Sequence, residues 1–430
     1  DKGRRLLAVV LCRWGTGGKT AAFCKKKLDF LKKCGIIDMI CALCRRKGRH
    51  RGGGNGLSTV QKPTRDIGLD ITRILAFCNV VCVHFFLNSG FYSATMVGKR
   101  MYLMAIMRTM FMTCVPLFML LTGYLSSQKQ VDLSGGLRHY YGRLTPILLT
   151  YALSTLAILA YQVVYRHAEL SLKDVAVNLL GFQQYSWYIS MYIGCLLLIP
   201  FLNTLWRAIA SHKGQLMLVL VLAVMTMLPS VLNAHDLQTP GALWQPWLTK
   251  QHTKLVPDWW QRLYPLTYYF IGAYLRERVD IKRLPTGRLA VALGLSLLAG
   301  GAFNAWKSYS RTFVWGSWCD WGGVQNVTNA VLLFLLINSI CYPQLGERTQ
   351  RAVAFVSKLT LAAYLLSWIP DNYVYEKLKA AVSAMPQRLN AFWVVFLNIA
   401  VSLVLAAVVQ GGVTLLTQAG RALRSRRAAA

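Results

Sequence analysis

The sequence predicts an all-α, polytopic integral membrane protein with about ten transmembrane helices and with both termini in the cytoplasm. Hydrophobic residues make up 55% of the chain and charged residues only 15%, the mean hydropathy is +0.39, and long apolar segments recur along the chain. A segment of about 20 residues crosses a bilayer core of roughly 30 Å as a helix and satisfies its own backbone hydrogen bonds. A water-soluble chain of 430 residues needs a more highly charged surface.

Ten apolar segments are predicted as spans, and the basic loops between them support the assignment. Lys and Arg gather in alternate loops, for example Arg138 and Arg143 beside the third span and Arg348 and Arg351 before the ninth. Because positively charged loops stay in the cytoplasm, the topology that puts these loops inside also puts both termini inside. The predicted spans are residues 68–88, 101–125, 143–165, 186–206, 215–233, 262–276, 287–306, 323–342, 353–375 and 391–417.

The chain carries 48 Lys and Arg against 16 Asp and Glu, a formal net charge of +32. Such an excess first suggests a nucleic-acid partner. The basic residues, however, gather in the N-terminal segment, in alternate loops and at the C-terminal end, a distribution that fits cytoplasmic loops against anionic lipid headgroups. We therefore expect contact with membrane lipid and no nucleic-acid partner.

Residues 1–65 are interpreted as a basic lead-in, flexible or interfacial, to the membrane domain. The Gly-rich, charge-dense end of this segment cannot bury a core, whereas residues 28–44 have the pattern of a short amphipathic surface helix. Part of the segment is expected to be foreign to the natural protein. The membrane domain is predicted over residues 66–417, and a basic cytoplasmic tail over residues 418–430.

Eleven cysteines are present, and five of them fall in the first 44 residues. Their spacing fits no disulfide framework. Cys41 and Cys44 form a C-x-x-C, but a zinc site needs two further ligands, and Cys34 and His50 are poor candidates for them. We expect no metal.

The first span, LDITRILAFCNVVCVHFF (residues 69–86), contains Arg73 and His84. An ionisable group at membrane depth costs about a few kcal/mol, so it needs a partner or a task. Helical geometry separates the two residues by about 16 Å along the axis and about three full turns, so both project from one face. His84 is either a structural side chain bonded to a neighbouring helix or a general base that takes a proton from an attacking hydroxyl group. Arg73 suits an anionic cofactor, because its planar guanidinium forms bidentate bonds to phosphate.

Two outer loops, residues 239–260 and 306–323, are rich in aromatic residues. Trp and Tyr at this level usually mark the membrane interface. The alternative is a carbohydrate platform, in which ring faces pack against the C–H faces of a sugar, and Asp320 close to Trp315 and Trp318 favours it. These three residues are therefore candidate substrate contacts.

These motifs together resemble acyltransferase family 3, bacterial membrane enzymes that O-acylate surface glycans. The segment VPLFMLLTGYL (residues 115–125) is similar to the family pattern V-P-x-F-F-x-x-S-G-[FY]-L, with Thr in place of Ser, and the likeness extends over about residues 66–417. The first-span pattern of the family, L-D-x-x-R-x-x-A ending in His, is matched by Leu69, Asp70, Arg73, Ala76 and His84.

The resemblance implies a ten-helix enzyme that takes an acyl group, with acetyl favoured, from cytoplasmic acyl-coenzyme A (acyl-CoA). The acceptor would be a hydroxyl group of a polysaccharide or lipid-linked sugar. His84 would be the catalytic base, and Arg73 would bind the donor or orient the site. Arg143 and Arg138 are candidates for contact with coenzyme A phosphates, while Asp70 either pairs with Arg73 or only complements the helix dipole.

The fourth span begins with Trp187 and Tyr188, two further candidate substrate contacts. The resemblance also implies the bacterial inner membrane and association with a polysaccharide synthesis or export complex. The chain departs from the family pattern at Tyr140, where many members have Arg, and at Ser367, where a late His often falls. Open alternatives are an acyltransferase acting on a lipid or a peptide and, outside the enzymes, a transporter whose path is lined by the ionisable pair of the first span.

Overall fold

The computed structural model of the chain describes residues 65–429 except 183, 250, 343, 344 and 384. The predicted surface helix at 28–44 and the C-x-x-C pair lie outside the described residues. Over the described residues the chain is helical, and its β-type pairings are isolated bridges between Thr95 and Thr312 and between Met96 and Tyr309. The all-α prediction is confirmed.

The chain divides into two compact units. One comprises residues 62–274 and 281–430 and contains the helices discussed below. The other comprises residues 1–61 and 275–280, of which only the latter are described, as the last residues of one helix and the turn after it.

Fifteen α-helices occur in the described part of the chain. Seven continuous helical stretches are long and apolar enough to cross a membrane, or eight if the bent pair α12–α13 forms one span, so the chain is a multi-pass membrane protein. The helices are α1 Ile67–Asn88, α2 Lys99–Phe111, α3 Cys114–Ser126, α4 Leu137–Gly142, α5 Thr145–Val164, α6 Leu172–Leu180, α7 Trp187–Ala208, α8 His212–Leu232, α9 Tyr264–Arg278, α10 Thr286–Lys307, α11 Val324–Ser339, α12 Glu347–Leu366, α13 Trp368–Ala381, α14 Met385–Arg388 and α15 Val394–Ala429.

Each of the ten predicted spans overlaps at least one of these helices, but two helices are short. Helices α9 and α11 contain 15 and 16 residues. Helices of this size are about 24 Å long at most, which is less than the roughly 30 Å of a hydrocarbon core. The count of ten and the cytoplasmic position of the termini stay predictions. The predicted basic tail continues α15 as far as Ala429.

Helix α1 lies in the interior of the larger unit. Asp66 caps its N-terminus by accepting a hydrogen bond from the Gly68 backbone N–H at 2.9 Å, and Ala76 and Phe77 at its middle are fully buried. Helices α2, α3, α11, α12, α13 and α15 all pack against it. Because protein surrounds α1, ionisable side chains on this helix have protein or cavities as neighbours, which is where such groups are tolerated.

Helices α3 and α9 approach each other closely through two glycines. A Cβ atom at Gly123 would clash with the backbone of Tyr269, and a Cβ atom at Gly272 would clash with the Leu120 carbonyl oxygen. Small residues allow helix backbones in a membrane to come this near. The glycine of the TGYL motif thus allows α3 to pack directly against α9.

Helices α12 and α13 meet at a bend of 56°. Ser367 occupies the joint, and Pro370 in the first turn of α13 has no N–H to continue the hydrogen-bond ladder of α12. The predicted ninth span therefore changes direction before its end. The bend brings the first turn of α13 against α1.

Candidate active site

Near the start of α1, Asp70 connects Arg73 to α12. Asp70 is 3% exposed, and its Oδ1 accepts hydrogen bonds from Ser357 Oγ at 2.7 Å and from Arg73 Nη1 at 3.2 Å. Arg65 Nη2 donates to the same oxygen at 2.8 Å. Asp70 therefore pairs with Arg73 and also lies in the first turn of the helix, where a carboxylate complements the dipole.

Arg73 lines a cavity of about 390 Å³ between α1, α3, α7 and α12, which we call the basic cavity. Lys129 and Lys358 line it as well, and its described lining contains no carboxylate. Partial burial of the Lys129 ammonium lowers its pKa, and the charge of Arg143 nearby lowers it further. Asp70 offsets the charge of Arg73 from outside this lining, whereas Lys129 and Lys358 add positive charge that attracts an anion.

The two arginines predicted to contact phosphate lie outside the described lining of this cavity. Arg143 follows α4, with its Nη2 3.2 Å from His139 Nε2, and Arg138 is exposed on α4. Tyr140, at the position where many relatives have Arg, is buried and donates a hydrogen bond to the Leu196 carbonyl oxygen at 2.9 Å. The departure at Tyr140 thus attaches α4 to α7.

Near the end of α1, His84 lines a cavity of about 70 Å³, which we call the histidine chamber. Its walls come from α1, α3, α7 and α12. Phe118, Tyr188 and Tyr364 line both this chamber and the basic cavity. These three rings therefore separate His84 from the cationic groups.

A buried carboxylate lies behind the imidazole. Asp371 on α13 is 1% exposed, and its Oδ2 lies 3.0 Å from His84 Nδ1, within ion-pair distance, although the two atoms are not aligned for a hydrogen bond. Asn398 Nδ2 donates to the other carboxylate oxygen at 2.6 Å. A carboxylate in this position stabilises an imidazolium and leaves Nε2 as the nitrogen that can act on a substrate.

Tyr185, just before α7, covers one face of His84. The two ring centroids are 3.8 Å apart with an interplanar angle of 32°. Asn88 Nδ2 donates to the Tyr185 hydroxyl at 3.3 Å, and the Tyr364 hydroxyl donates to the Tyr185 carbonyl oxygen. Burial and the nearby Asp371 charge raise the pKa of Tyr185. The imidazole is thus held between a neutral phenol ring and a carboxylate.

A third cavity, of about 320 Å³, lies on the other side of the histidine chamber, and we call it the tryptophan vestibule. Trp187 and Trp321 stack with centroids 5.8 Å apart and line both the vestibule and the chamber. The three cavities therefore follow one another, with His84 in the middle one. The vestibule is lined by Trp187, Gln261, Arg262, Tyr264, Asp320 and Trp321.

The structure brings together some of the predicted site residues and separates others. Trp187, Tyr188 and Asp320 line the path described above, as do Arg73 and His84. By contrast, Trp315 covers the guanidinium of Arg108, with its ring centroid 4.2 Å from Cζ. Trp318 is buried and donates through Nε1 to Asn304 Oδ1 at 3.0 Å. Neither of these two indoles lines the three cavities in the described part of the chain.

Sequence reasoning missed Asp371, Lys129 and Lys358. Asp371 falls inside the predicted ninth span, so the rule that an ionisable residue in a span needs a task also applied to it. In the sequence, Lys129 is one of several basic loop residues and Lys358 is a single charge in a predicted helix. Neither pattern indicates that the residue lines a cavity. Within the described ranges, no group of three or more His, Cys, Asp or Glu side chains could hold a metal ion.

The path has a distinct chemical character at each stage. The basic cavity suits an anionic group, the chamber offers an imidazole supported by a carboxylate, and the vestibule combines aromatic faces with polar side chains. A nucleophile entering from the vestibule and an anionic donor entering from the basic cavity would meet at His84. The arrangement fits group transfer between two substrates.

Comparison with protein families gives a match over most of the chain. A family described as an acyltransferase domain matches residues 66–409, which include Arg73, His84 and Asp371. No curated protein and no solved structure matches the chain. The matched segment covers most of the sequence and confirms the resemblance seen in the first and second spans. The chain belongs to acyltransferase family 3.

Proposed function

We propose that this membrane acyltransferase moves an acyl group from acyl-CoA to a hydroxyl group of a sugar, with His84 as the general base. The observation that carries the proposal is the position of His84. It lies in a small chamber between a cavity lined by cations and a vestibule lined by indole rings. We further propose the bacterial inner membrane as the location and a polysaccharide or lipid-linked sugar as the acceptor.

The donor would bind in the basic cavity. The phosphates of coenzyme A are multiply charged, and Arg73, Lys129 and Lys358 supply cationic donors with no carboxylate in the described lining. Arg143 adds positive charge close to Lys129, whose pKa it lowers. The uncharged arm that carries the thioester suits the apolar and aromatic part of this cavity, which leads to Phe118, Tyr188 and Tyr364.

The reaction exchanges a thioester for an ester. His84 Nε2 takes the proton of the sugar hydroxyl as its oxygen attacks the thioester carbonyl carbon. A C–O bond forms, the C–S bond breaks, and the proton passes from the imidazolium to the coenzyme A thiolate. Asp371 stabilises the imidazolium while the proton resides there, because the carboxylate lies 3.0 Å from Nδ1.

The acceptor would approach through the tryptophan vestibule. Stacked rings of Trp187 and Trp321 offer flat apolar faces to the C–H side of a sugar. Asp320, Gln261 and Arg262 offer acceptors and donors to its hydroxyl groups. This mixture suits a carbohydrate better than a lipid tail, which would find polar groups without partners.

The test is acyl transfer by the purified protein in lipid nanodiscs, with radiolabelled acetyl-CoA and a mixed extract of bacterial surface glycans. We expect His84→Ala to lower transfer by about 10²- to 10⁴-fold, the usual range for loss of a general base. His167→Asn is the matched control, because His167 is exposed and has a φ of 52° that Asn tolerates.

Two results would contradict the proposal. The first is full transfer activity in His84→Ala, which would remove the base from the mechanism. The second is label transferred to lipid or protein but not to glycan, which would support the alternative acceptor classes.

A further inference from the structure

The histidine chamber is much smaller than the cavities on either side of it. Its volume is about 70 Å³, against about 390 Å³ for the basic cavity and about 320 Å³ for the vestibule. A chamber of this size has room for only a few water-sized groups. During the proposed reaction it must hold both the acyl group and the attacking hydroxyl group. Chamber volume therefore limits the length of the acyl group.

Part of the chamber wall belongs to the start of α3. Cys114 and Val115 line it and are 1% and 4% exposed. Val80 and Val83 of α1 also line the chamber and are buried. Side chains enclosed to this degree cannot move aside without opening the packing between helices.

The α3 wall is held in place at its other end. Gly123 contacts the α9 backbone so closely that no Cβ atom fits between the two helices. A shift of α3 towards α9 is therefore blocked at this end. Interiors packed at this density resist other movements of the helix as well. We therefore expect the part of the chamber wall that α3 forms to stay in place.

The side facing the basic cavity is bounded by aromatic rings. Tyr188 lies 5.7 Å from Phe118 and 5.8 Å from Tyr364, measured between ring centroids. The Tyr364 hydroxyl is bonded to the carbonyl oxygen of Tyr185, whose ring stacks on His84. If an acyl chain is too long for the chamber, its thioester carbonyl stays in the basic cavity, where it cannot reach His84.

From this geometry we infer that Val115 and Cys114 set the acyl length, so that the enzyme transfers acetyl and rejects acyl groups of four or more carbons. The inference rests on the proposed function and assigns a role to the first residue of the VPLF motif. When the acyl group is acetyl, its carbonyl carbon lies in the chamber. The bond from this carbon to sulfur breaks, and a bond to the sugar oxygen forms. The hydroxyl proton moves through His84 to the coenzyme A sulfur.

The experiment offers acetyl-CoA and butyryl-CoA in equal amounts to the protein in nanodiscs with the same glycan extract, and identifies the products by mass. Wild type is expected to form acetyl ester almost exclusively. Val115→Ala should raise the butyryl-to-acetyl ratio by about tenfold or more, since one methylene group in an apolar pocket is discriminated by that factor. Val115→Ile, which narrows the chamber, should lower acetyl transfer.

Leu117→Ala is the matched control. Leu117 lies on the same helix and is fully buried, but it lines neither the basic cavity nor the chamber. This variant should leave the product ratio unchanged. Binding of coenzyme A without an acyl group, measured for every variant, shows that each is folded, and it should be unaltered in Val115→Ile.

The outcomes separate the inference from the proposed function. Equal use of acetyl-CoA and butyryl-CoA by the wild type, or equal changes of the ratio in Val115→Ala and Leu117→Ala, would overturn the inference and leave the proposed function standing. If the wild type transfers neither group to glycan, the proposed function fails and the inference fails with it.

Discussion

Asp371 and His84 come from helices near opposite ends of the chain and meet with Oδ2 3.0 Å from Nδ1. The carboxylate is held by Asn398, and α13 presents it because the chain bends at Ser367. This contact favours the interpretation of His84 as a general base over that of a structural side chain. The carboxylate lies where it would stabilise the imidazolium that forms when a general base takes up a proton.

The first prediction follows from this pair. Asp371→Asn should lower kcat by about 10²- to 10⁴-fold, because the amide cannot stabilise the imidazolium. The KM for acyl-CoA should change little, since Asp371 lines neither the basic cavity nor the chamber in the described structure. Steady-state kinetics of acyl transfer in nanodiscs give both constants.

Glu376→Gln is the control for this prediction. Glu376 lies on the same helix, is exposed and pairs with Arg166 at 3.4 Å, so its loss should leave kcat unchanged. A kcat that falls equally in both variants would assign Asp371 a structural role in α13 only.

The second prediction concerns Arg73 at the other end of α1. Arg73→Ala should raise the KM for acyl-CoA by about tenfold or more, the cost of a lost hydrogen bond to a charged group. Arg351→Ala is the control, because Arg351 is exposed on α12 and pairs with Glu347. If Arg73→Ala instead lowers kcat and leaves KM alone, Arg73 orients the site and does not bind the donor.

The third prediction concerns pH and Lys129. Its ammonium is present below its pKa and is lost as the pH rises through it, and burial moves that loss below the ordinary lysine value of 10.5. Affinity for coenzyme A should therefore fall in the alkaline range before an ordinary lysine would titrate. Lys129→Arg should flatten this fall, because a guanidinium stays charged at that pH. Calorimetric titration with coenzyme A at several pH values measures the effect.

Lys173→Arg serves as the control for the pH prediction, since Lys173 lies on α6 and is exposed. It should bind coenzyme A with the pH dependence of the wild type. An unaltered alkaline fall in Lys129→Arg would mean that another group in the cavity is responsible.

The helices could be predicted because their apolar segments are long. The placement of Arg73 and His84 on one face of α1 could be predicted because helical periodicity is regular. Arg73 and His84 could therefore be assigned to one path before any coordinates. Asp371 could not be paired with His84, because contacts between distant helices leave no trace in a single sequence. The bend at Ser367, which brings the Asp371 carboxylate to His84, could not be read from hydrophobic periodicity either.

Aromatic residues in the outer loops show a different limit of the sequence. Trp315 and Trp321 are close in the sequence and both are indoles, yet one covers Arg108 and the other lines the vestibule. Loop conformation decides between these surroundings, and composition does not encode it. Trp187 was a candidate through the family resemblance, and only the structure shows that it lines both the chamber and the vestibule.

The fourth prediction tests the contact that holds α3. Gly272→Ala should destabilise the fold by about 3 kcal/mol or more, because the added methyl group meets the Leu120 carbonyl oxygen and cannot be accommodated by a side-chain rotation. Gly294→Ala in α10 is the matched control. A Cβ atom there meets nothing within 4 Å, so the higher helix propensity of Ala should stabilise the protein by up to about 1 kcal/mol. Thermal unfolding in detergent should therefore show Tm shifts of opposite sign, and equal shifts would mean that α3 and α9 can separate without cost.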